Sequence, residues 1–268
     1  MKRNSLILIV LLCLVSLANA QDVSGGTTAS TVPMLTTRLY DDFNEEFLSP
    51  SRWNTACPAT SVSLECVVEI QNGQLELVRR TAGQRNSDAG FQVGSTNASF
   101  SNPASIKSIT TDLVVEDIRE SPCAVNPSYG GNAGIVATFF NGGASIGDVT
   151  AQLVFTHALS DPKGQLTVYA QYFQNDNFTN LVLGNVPLGT PLTATLTWDK
   201  PNHQFLMSWT NDFTYVKTEG AMPYPFSDTT PAANPAKSLQ VDSLPANCTA
   251  AQTWVYVNSV FDNVYVGR

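Results

Sequence analysis

Leu192-Thr193-Ala194-Thr195-Leu196-Thr197-Trp198, the turn Asp199-Lys200-Pro201-Asn202, and then His203-Gln204-Phe205-Leu206-Met207-Ser208-Trp209-Thr210 read together as a β-hairpin. Leu192, Ala194, Leu196 and Trp198 share one face of a period-two segment, while Thr193, Thr195 and Thr197 share the other. After the turn the alternation resumes with Phe205, Met207 and Trp209 aligned. Apolar residues on one face and threonine on the other describe strands with one buried and one wet side.

The same theme runs outward in both directions. Leu75 and Leu77 alternate after an Asn72-Gly73 turn. Segments 109–118 and 134–140 read as strands, the second nearly continuous in apolar residues and so central. Segments 151–156 and 165–173, separated by Ser160-Asp161-Pro162-Lys163-Gly164, read as a hairpin, and 260–266 as the last strand. Helical periodicity is absent over any useful length, and only 232–239 is a candidate for a helical turn. Roughly ten or more short strands with no helices between them predict one all-β domain, a sandwich or barrel, over residues 38–268.

Ahead of that domain, Lys2 and Arg3 precede an apolar run from Leu6 to Leu17, and Ala18-Asn19-Ala20 follows. This is the order of a secretory signal peptide over residues 1–20, with cleavage expected after Ala20. The run is shorter than the ~20 residues a membrane span requires, and no later stretch is apolar for long enough. Residues 21–37 are rich in Ser, Thr and Gly and read as a flexible connector. Export predicts a secreted or extracellular protein, or a periplasmic one in a Gram-negative source.

Cleavage leaves 12 basic and 22 acidic side chains from the 14 and 22 of the whole chain, a net charge of −10. Nucleic acid is excluded as a natural partner, because that contact relies on clustered Lys and Arg. Cys13 leaves with the leader, and Cys57, Cys66, Cys123 and Cys248 remain. In an oxidising compartment four cysteines predict two disulfides. Of three possible connectivities the preferred one joins Cys57 to Cys66 and Cys123 to Cys248.

Tyr40-Asp41-Asp42-Phe43, with Leu48, Arg52 and Trp53 following, resembles the opening strand of concanavalin A-like lectin and glucanase sandwiches. Val260-Phe261-Asp262-Asn263-Val264-Tyr265-Val266 resembles their closing strand, and the Trp198–Trp209 hairpin is similar to one in laminin-G-like members. The resemblance implies an antiparallel two-sheet jelly roll with first and last strands adjacent, and a ligand surface on the concave face or its rim. The superfamily hosts binders and enzymes alike.

Glycoside hydrolysis needs two carboxylates on one face. The Glu-x-Asp-x-x-Glu pattern of the glucanase branch is absent, and the nearest candidates are Glu116 and Glu120, expected on the same side of one strand. His157 and Tyr172 are the residue types an alginate-lyase-like site would use, in surroundings that do not follow that branch. No cofactor is required by any motif. Asp42 and Asp262 are candidates for a structural Ca²⁺, with turn and capping roles as the alternative, and Asp41, Asp42, Glu45 and Glu46 read equally as a solvated acidic edge. Tyr169, Tyr172, Phe173 and Phe178, in a stretch rich in Gln and Asn, are the candidate sugar platform.

The residues favour a secreted, non-catalytic domain that binds glycan or another extracellular surface. A polysaccharide-degrading hydrolase or lyase with an atypical site, and a structural component of an extracellular coat or filament, are the alternatives. Oligomeric state is left open.

Overall fold

A computed structural model of the chain describes residues 36–58, 62–126, 130–158, 161–175 and 177–268. The leader and residues 21–35 lie outside the described residues. In chain order the strands are β1 (Thr37–Asp41), β2 (Trp53–Ala56), β3 (Ser63–Gln71), β4 (Gln74–Ala82), β5 (Gly94–Phe100), β6 (Ser108–Ser121), β7 (Gly131–Asn141) and β8 (Asp148–His157). They continue with β9 (Gln165–Gln174), β10 (Asn177–Pro187), β11 (Leu192–Asp199), β12 (Gln204–Asn211), β13 (Lys217–Pro223), β14 (Thr230–Pro231), β15 (Lys237–Ser243) and β16 (Trp254–Gly267). Thr37, assigned to the connector by composition, already belongs to β1.

The first sheet runs β13-β12-β11-β6-β16-β4-β3, with β1 also paired to β16. The second runs β10-β9-β8-β7-β15-β5-β2, with β14 added to β7. Every pairing is antiparallel, and the opening and closing strands are neighbours, Thr37 opposite Gly267 and Asp41 opposite Val264. The architecture is an antiparallel two-sheet jelly-roll sandwich.

The hairpin at Leu192–Thr210 forms as its alternation requires, Leu196 opposite Met207 and Trp198 opposite Phe205. Leu192, Ala194, Leu196, Phe205 and Met207 enter the inter-sheet core beside Val255, Val257 and Phe261. From the second sheet come Ile135, Leu153, Phe155, Val168, Leu239 and Val241. Each large apolar side chain removed from water in this way contributes about 1.5–3 kcal/mol before entropy is counted. At the Asn72-Gly73 turn both residues have positive φ, 54° and 75°, as a primed two-residue hairpin demands.

The expected helical turn at 232–239 is absent. Pro235 interrupts that segment, and from Lys237 the alternation of Leu239 and Val241 against Ser238, Gln240 and Asp242 selects strand β15. Lys237 itself is buried in the core, donating from Nζ to the Thr138 carbonyl at 2.9 Å and lying 4.6 Å from the Phe139 ring centroid. Burial pulls its amine down to about 8.

Both disulfides join the expected partners. Cys57 with Cys66, Cα atoms 6.0 Å apart, ties the end of β2 to β3. Cys123 with Cys248, 5.8 Å apart, joins the loops after β6 and β15 across 125 residues. Loop closure of the second constrains the unfolded chain more than that of the first.

Asp41 is buried, contrary to a solvated acidic edge. Its Oδ2 accepts Trp53 Nε1 at 2.7 Å and its Oδ1 accepts the Phe43 amide at 3.0 Å, with the Arg52 guanidinium 3.3 Å away. One carboxylate thus pins the opening strand to β2 under a cluster of Tyr40, Phe43, Trp53 and Phe100 rings. Asp41→Ala leaves two buried donors without an acceptor and is expected to lower unfolding free energy by about 3 kcal/mol. Asp41→Asn, which keeps one acceptor oxygen, is expected to cost about half as much, both read from urea unfolding midpoints.

Candidate functional site

The outward positions of the second sheet form three cross-strand rows. Ser238, Val136, Gln152 and Gln171 stand side by side across β15, β7, β8 and β9. Asn97, Gln240, Gly134, Val154 and Tyr169 form the next row, and Ser95, Asp242, Asn132, Thr156 and Thr167 the third. These residues face outward because their strand neighbours Ala133, Ile135, Leu153, Phe155, Val168 and Val241 fill the core.

Among the described residues no helix or strand crosses this face. Its central side chains are nonetheless nearly hidden, Asn132 at 4%, Gln152 at 6%, Gln171 at 5% and Thr156 at 5% exposure. Side chains standing free on a flat sheet would be far more open, so these polar groups lie closely packed, with the outward Val154 at 3% exposure among them. A Cβ on Gly134 would come 2.1 Å from the Leu153 carbonyl oxygen, so β7 and β8 approach closely only with glycine.

The floor is amide and hydroxyl chemistry around a single carboxylate. Gln171 Nε2 donates to Gln152 Oε1 at 3.1 Å. Gln240 Nε2 donates to both Asp242 oxygens, at 2.8 and 2.9 Å. Desolvation holds the Asp242 carboxyl above the ordinary range, opposed by hydrogen bonds from Ser95 and Gln240 and by the Arg79 charge. Thr156 Oγ1 is buried with no hydrogen-bond partner among the described residues. A buried hydroxyl in that state is costly. Lys and Arg are missing from all three rows.

The predicted aromatic platform divides between the two sides of β9. Tyr169 and Phe173 face outward, and Phe173 lies 6.1 Å from Phe178 on the adjacent edge strand β10. Tyr172 alternates inward, 5% exposed, and packs against Phe205 and Phe226 in the core. Its place in the platform is therefore corrected: period two sends it to the opposite face from its neighbour Phe173.

Glu116 and Glu120 do not share a face. The pairing of β6 with β16 shifts between Asn258 and Ser259, and this bulge leaves Glu116 outward while Ile118 and Glu120 turn inward. Glu116 accepts Asn258 Nδ2 at 3.2 Å, which also donates to Glu76 at 3.0 Å. His157 ends β8 with Nδ1 2.9 Å from the Gln165 carbonyl oxygen, six residues along the strand from the position opposite Tyr172, so the two are not brought together.

Asp42 and Asp262 do feel each other. Burial raises the Asp262 carboxyl first, and Asp112, directly opposite it in β6, and Asp42 add to the shift. Their oxygens are engaged within the protein: Asp262 accepts the Asn263 amide, and Asp112 accepts Thr193 and Asn263. Among the described residues the one grouping of three ligand atoms within 4.8 Å is Asp88 with Cys123 and Cys248, whose sulfurs are joined in a disulfide.

The polar floor was missed from sequence. Asn132, Gln152, Gln171, Gln240 and Asp242 are spread over four strands, and the usable signal was alternation that placed amides, rather than charges, on the wet face.

No protein-family model matches the chain, and no curated protein matches it in sequence. Among solved structures it is similar to the winged bean acidic lectin complexed with methyl-alpha-D-galactose, at 10% identity and a TM-score of 0.44 over 87% of this chain and 98% of the lectin. It is similar to peanut lectin, at 15% identity and a TM-score of 0.40 over 85% of this chain and 96% of that one. It is also similar to the Bacteroides ovatus GH43B of a xyloglucan PUL, at 13% identity and a TM-score of 0.41 over 87% of this chain and 38% of that chain.

Because the Asp242 carboxyl is raised in the folded state, its stabilising contribution is full below the unfolded-chain value near 3.9 and is lost as pH rises through the folded value. Asp242→Asn mimics the protonated form. It is expected to be at least as stable as the parent at pH 7 and to flatten the fall of stability above pH 4, measured by urea unfolding across a pH series. Destabilisation at pH 7 with an unchanged pH slope would contradict this placement.

Proposed function

We propose that the mature protein is exported and that the outer face of its second sheet binds a neutral, hydroxyl-rich glycan without turning it over. The observation that carries the reading is the chemistry of that face, the floor of the proposed trough: nearly hidden amides and hydroxyls, with no Lys or Arg in the three rows. Sugar hydroxyls are matched by such donors and acceptors, and sugar ring faces by aromatic side chains. Tyr169, Phe173 and Phe178 supply the rings along the β9–β10 edge. A polyanion finds no cation in these rows.

Absence of turnover is supported by the carboxylate count among the described residues. Glycoside hydrolysis requires a pair roughly 5 to 9.5 Å apart. Asp242 is the one acid in the three rows, and Asp148 lies at the far end of β8, held by Asn141 and by the amides of Ala233 and Asn234. Export is supported by the leader pattern and by the two disulfides, which persist in oxidising compartments. No helix among the described residues is long and apolar enough to cross a membrane.

A glycan array probed with the labelled mature protein is expected to return neutral glycans. Tyr169→Ala and Gln152→Ala are expected to weaken binding about tenfold each, near 1.4 kcal/mol; Tyr169→Ala leaves the unfolding midpoint close to the parent's, whereas Gln152→Ala also lowers it because the buried Gln171 Nε2 loses its acceptor. Tyr172→Ala is expected to act on stability instead. An array without ligands, or affinities indifferent to both trough substitutions, would overturn the reading.

A further inference from the structure

On the opposite side of the molecule, the outer face of the first sheet has a cleft of about 340 Å³ lined by Glu65, Arg80, Arg119, Trp254 and Tyr256. We infer that this cleft is a second binding site, for a sugar bearing one carboxylate, of the uronic acid class.

The residues meet there through strand register. Glu65 in β3 stands opposite Arg80 in β4, Arg80 opposite Tyr256 in β16, and Tyr256 opposite Arg119 in β6, so four strands contribute one row. Trp254, two residues before Tyr256, is on the same face. Arg80 Cζ lies 4.5 Å from the Trp254 ring centroid and Arg119 Cζ 5.6 Å from that of Tyr256. Stacking on an aromatic face holds a guanidinium in place without using its N–H donors.

The two arginines are not equivalent. Arg119 is taken by Asp117, which meets both its Nε and its Nη2. Arg80 Nε is buried and has no hydrogen-bond partner among the described residues. Arg80 thus lines the cleft without an ion pair among the described residues, and a carboxylate is the group that pairs with a guanidinium through two parallel hydrogen bonds. Glu65 can accept sugar hydroxyls. Burial and the nearby Glu65, Asp117 and Glu76 keep the Tyr256 hydroxyl protonated, so it can donate.

Those same acids select against higher charge. With Glu65, Glu76 and Asp117 around Tyr256, a phosphate or sulfate dianion meets more repulsion than a sugar that carries a single carboxylate. The volume is at the low end of ligand pockets and suits one or two sugar rings. The site is on the other sheet from the trough and stands or falls independently of it.

Binding to the full mature protein can be followed by Trp254 emission and by saturation-transfer NMR on the ligand's own protons. Digalacturonate and galacturonate are the probes, with cellobiose, acetate and inorganic phosphate as comparisons. Digalacturonate is expected to saturate with a millimolar or tighter dissociation constant, and cellobiose to bind at least tenfold more weakly. Arg80→Gln is expected to weaken the uronate at least tenfold, and Arg80→Lys, which keeps charge without the fork, by severalfold. Trp254→Phe should abolish the emission change but retain the NMR signal, and Tyr169→Ala should change nothing. Unfolding midpoints of the variants separate lost binding from lost fold. Four results would overturn the inference: no uronate signal in either readout at 50 mM, equal binding of cellobiose, phosphate competing as well as digalacturonate, or an Arg80→Gln variant that is folded and binds normally.

Discussion

Strand β16 is hydrogen-bonded along one edge to β6 and along the other to β4 and then β1, so its fourteen residues sit at the centre of the first sheet. Its alternation decides both faces at once. Val255, Val257 and Phe261 enter the core, while Trp254, Tyr256 and Asn258 point outward. A one-residue slip would exchange the two sets and destroy core and cleft together. Partners from β1 to β16 are far apart in sequence, and loop closure must precede the contacts that reward it, which places this fold among the slower-folding topologies. Clamps spanning long stretches of chain, the Cys123–Cys248 disulfide across 125 residues among them, act on this entropy.

The outer faces of the two sheets have different hydrogen-bond economies. On the first, hydroxyls satisfy one another: Ser108 with Thr197 at 2.7 Å, Thr110 with Thr195 at 3.0 Å, and Thr193 with Asp112 at 2.9 Å. That part of the surface is closed on itself, while among the described residues Arg80 Nε and Asn258 Oδ1 are buried without a partner. On the second, Gln171 and Gln152 share one contact and retain further capacity, while Gln240 gives its Nε2 to both Asp242 oxygens. Preorganised polar groups with capacity left over lower the ordering cost of binding.

The architecture was legible because alternation is a local property. The Leu192–Thr210 hairpin, the Asn72-Gly73 turn and the alternating tails of β4 and β9 could be read a few residues at a time. Strands with weaker patterns escaped: β3 carries exposed Leu64 and part-buried Val67, and β10 is an edge strand with Leu181 and Val182 open to solvent. The bulge in β6 was invisible because it follows from a shift in pairing with a strand 140 residues away, and it alone separates Glu116 from Glu120. Tyr172 could have been placed from period two, since Leu166, Val168 and Ala170 point the same way. The trough could not, because its floor comes from β5, β7, β8, β9 and β15 and exists only after they pair. The leader reading falls on residues outside those described.

The central claim is that the outer face of the second sheet is where ligand is met. Backbone amide chemical-shift mapping of the isotope-labelled mature protein, titrated with cellohexaose, xylohexaose and mannohexaose, tests it most directly. The account predicts that at least one of these neutral oligosaccharides shifts amides in β7, β8, β9 and β15 around Asn132, Gln152, Thr156, Tyr169 and Gln240, with the first sheet unmoved. Shifts confined to the first sheet or the loops, or no shifts with any of the three, would contradict it.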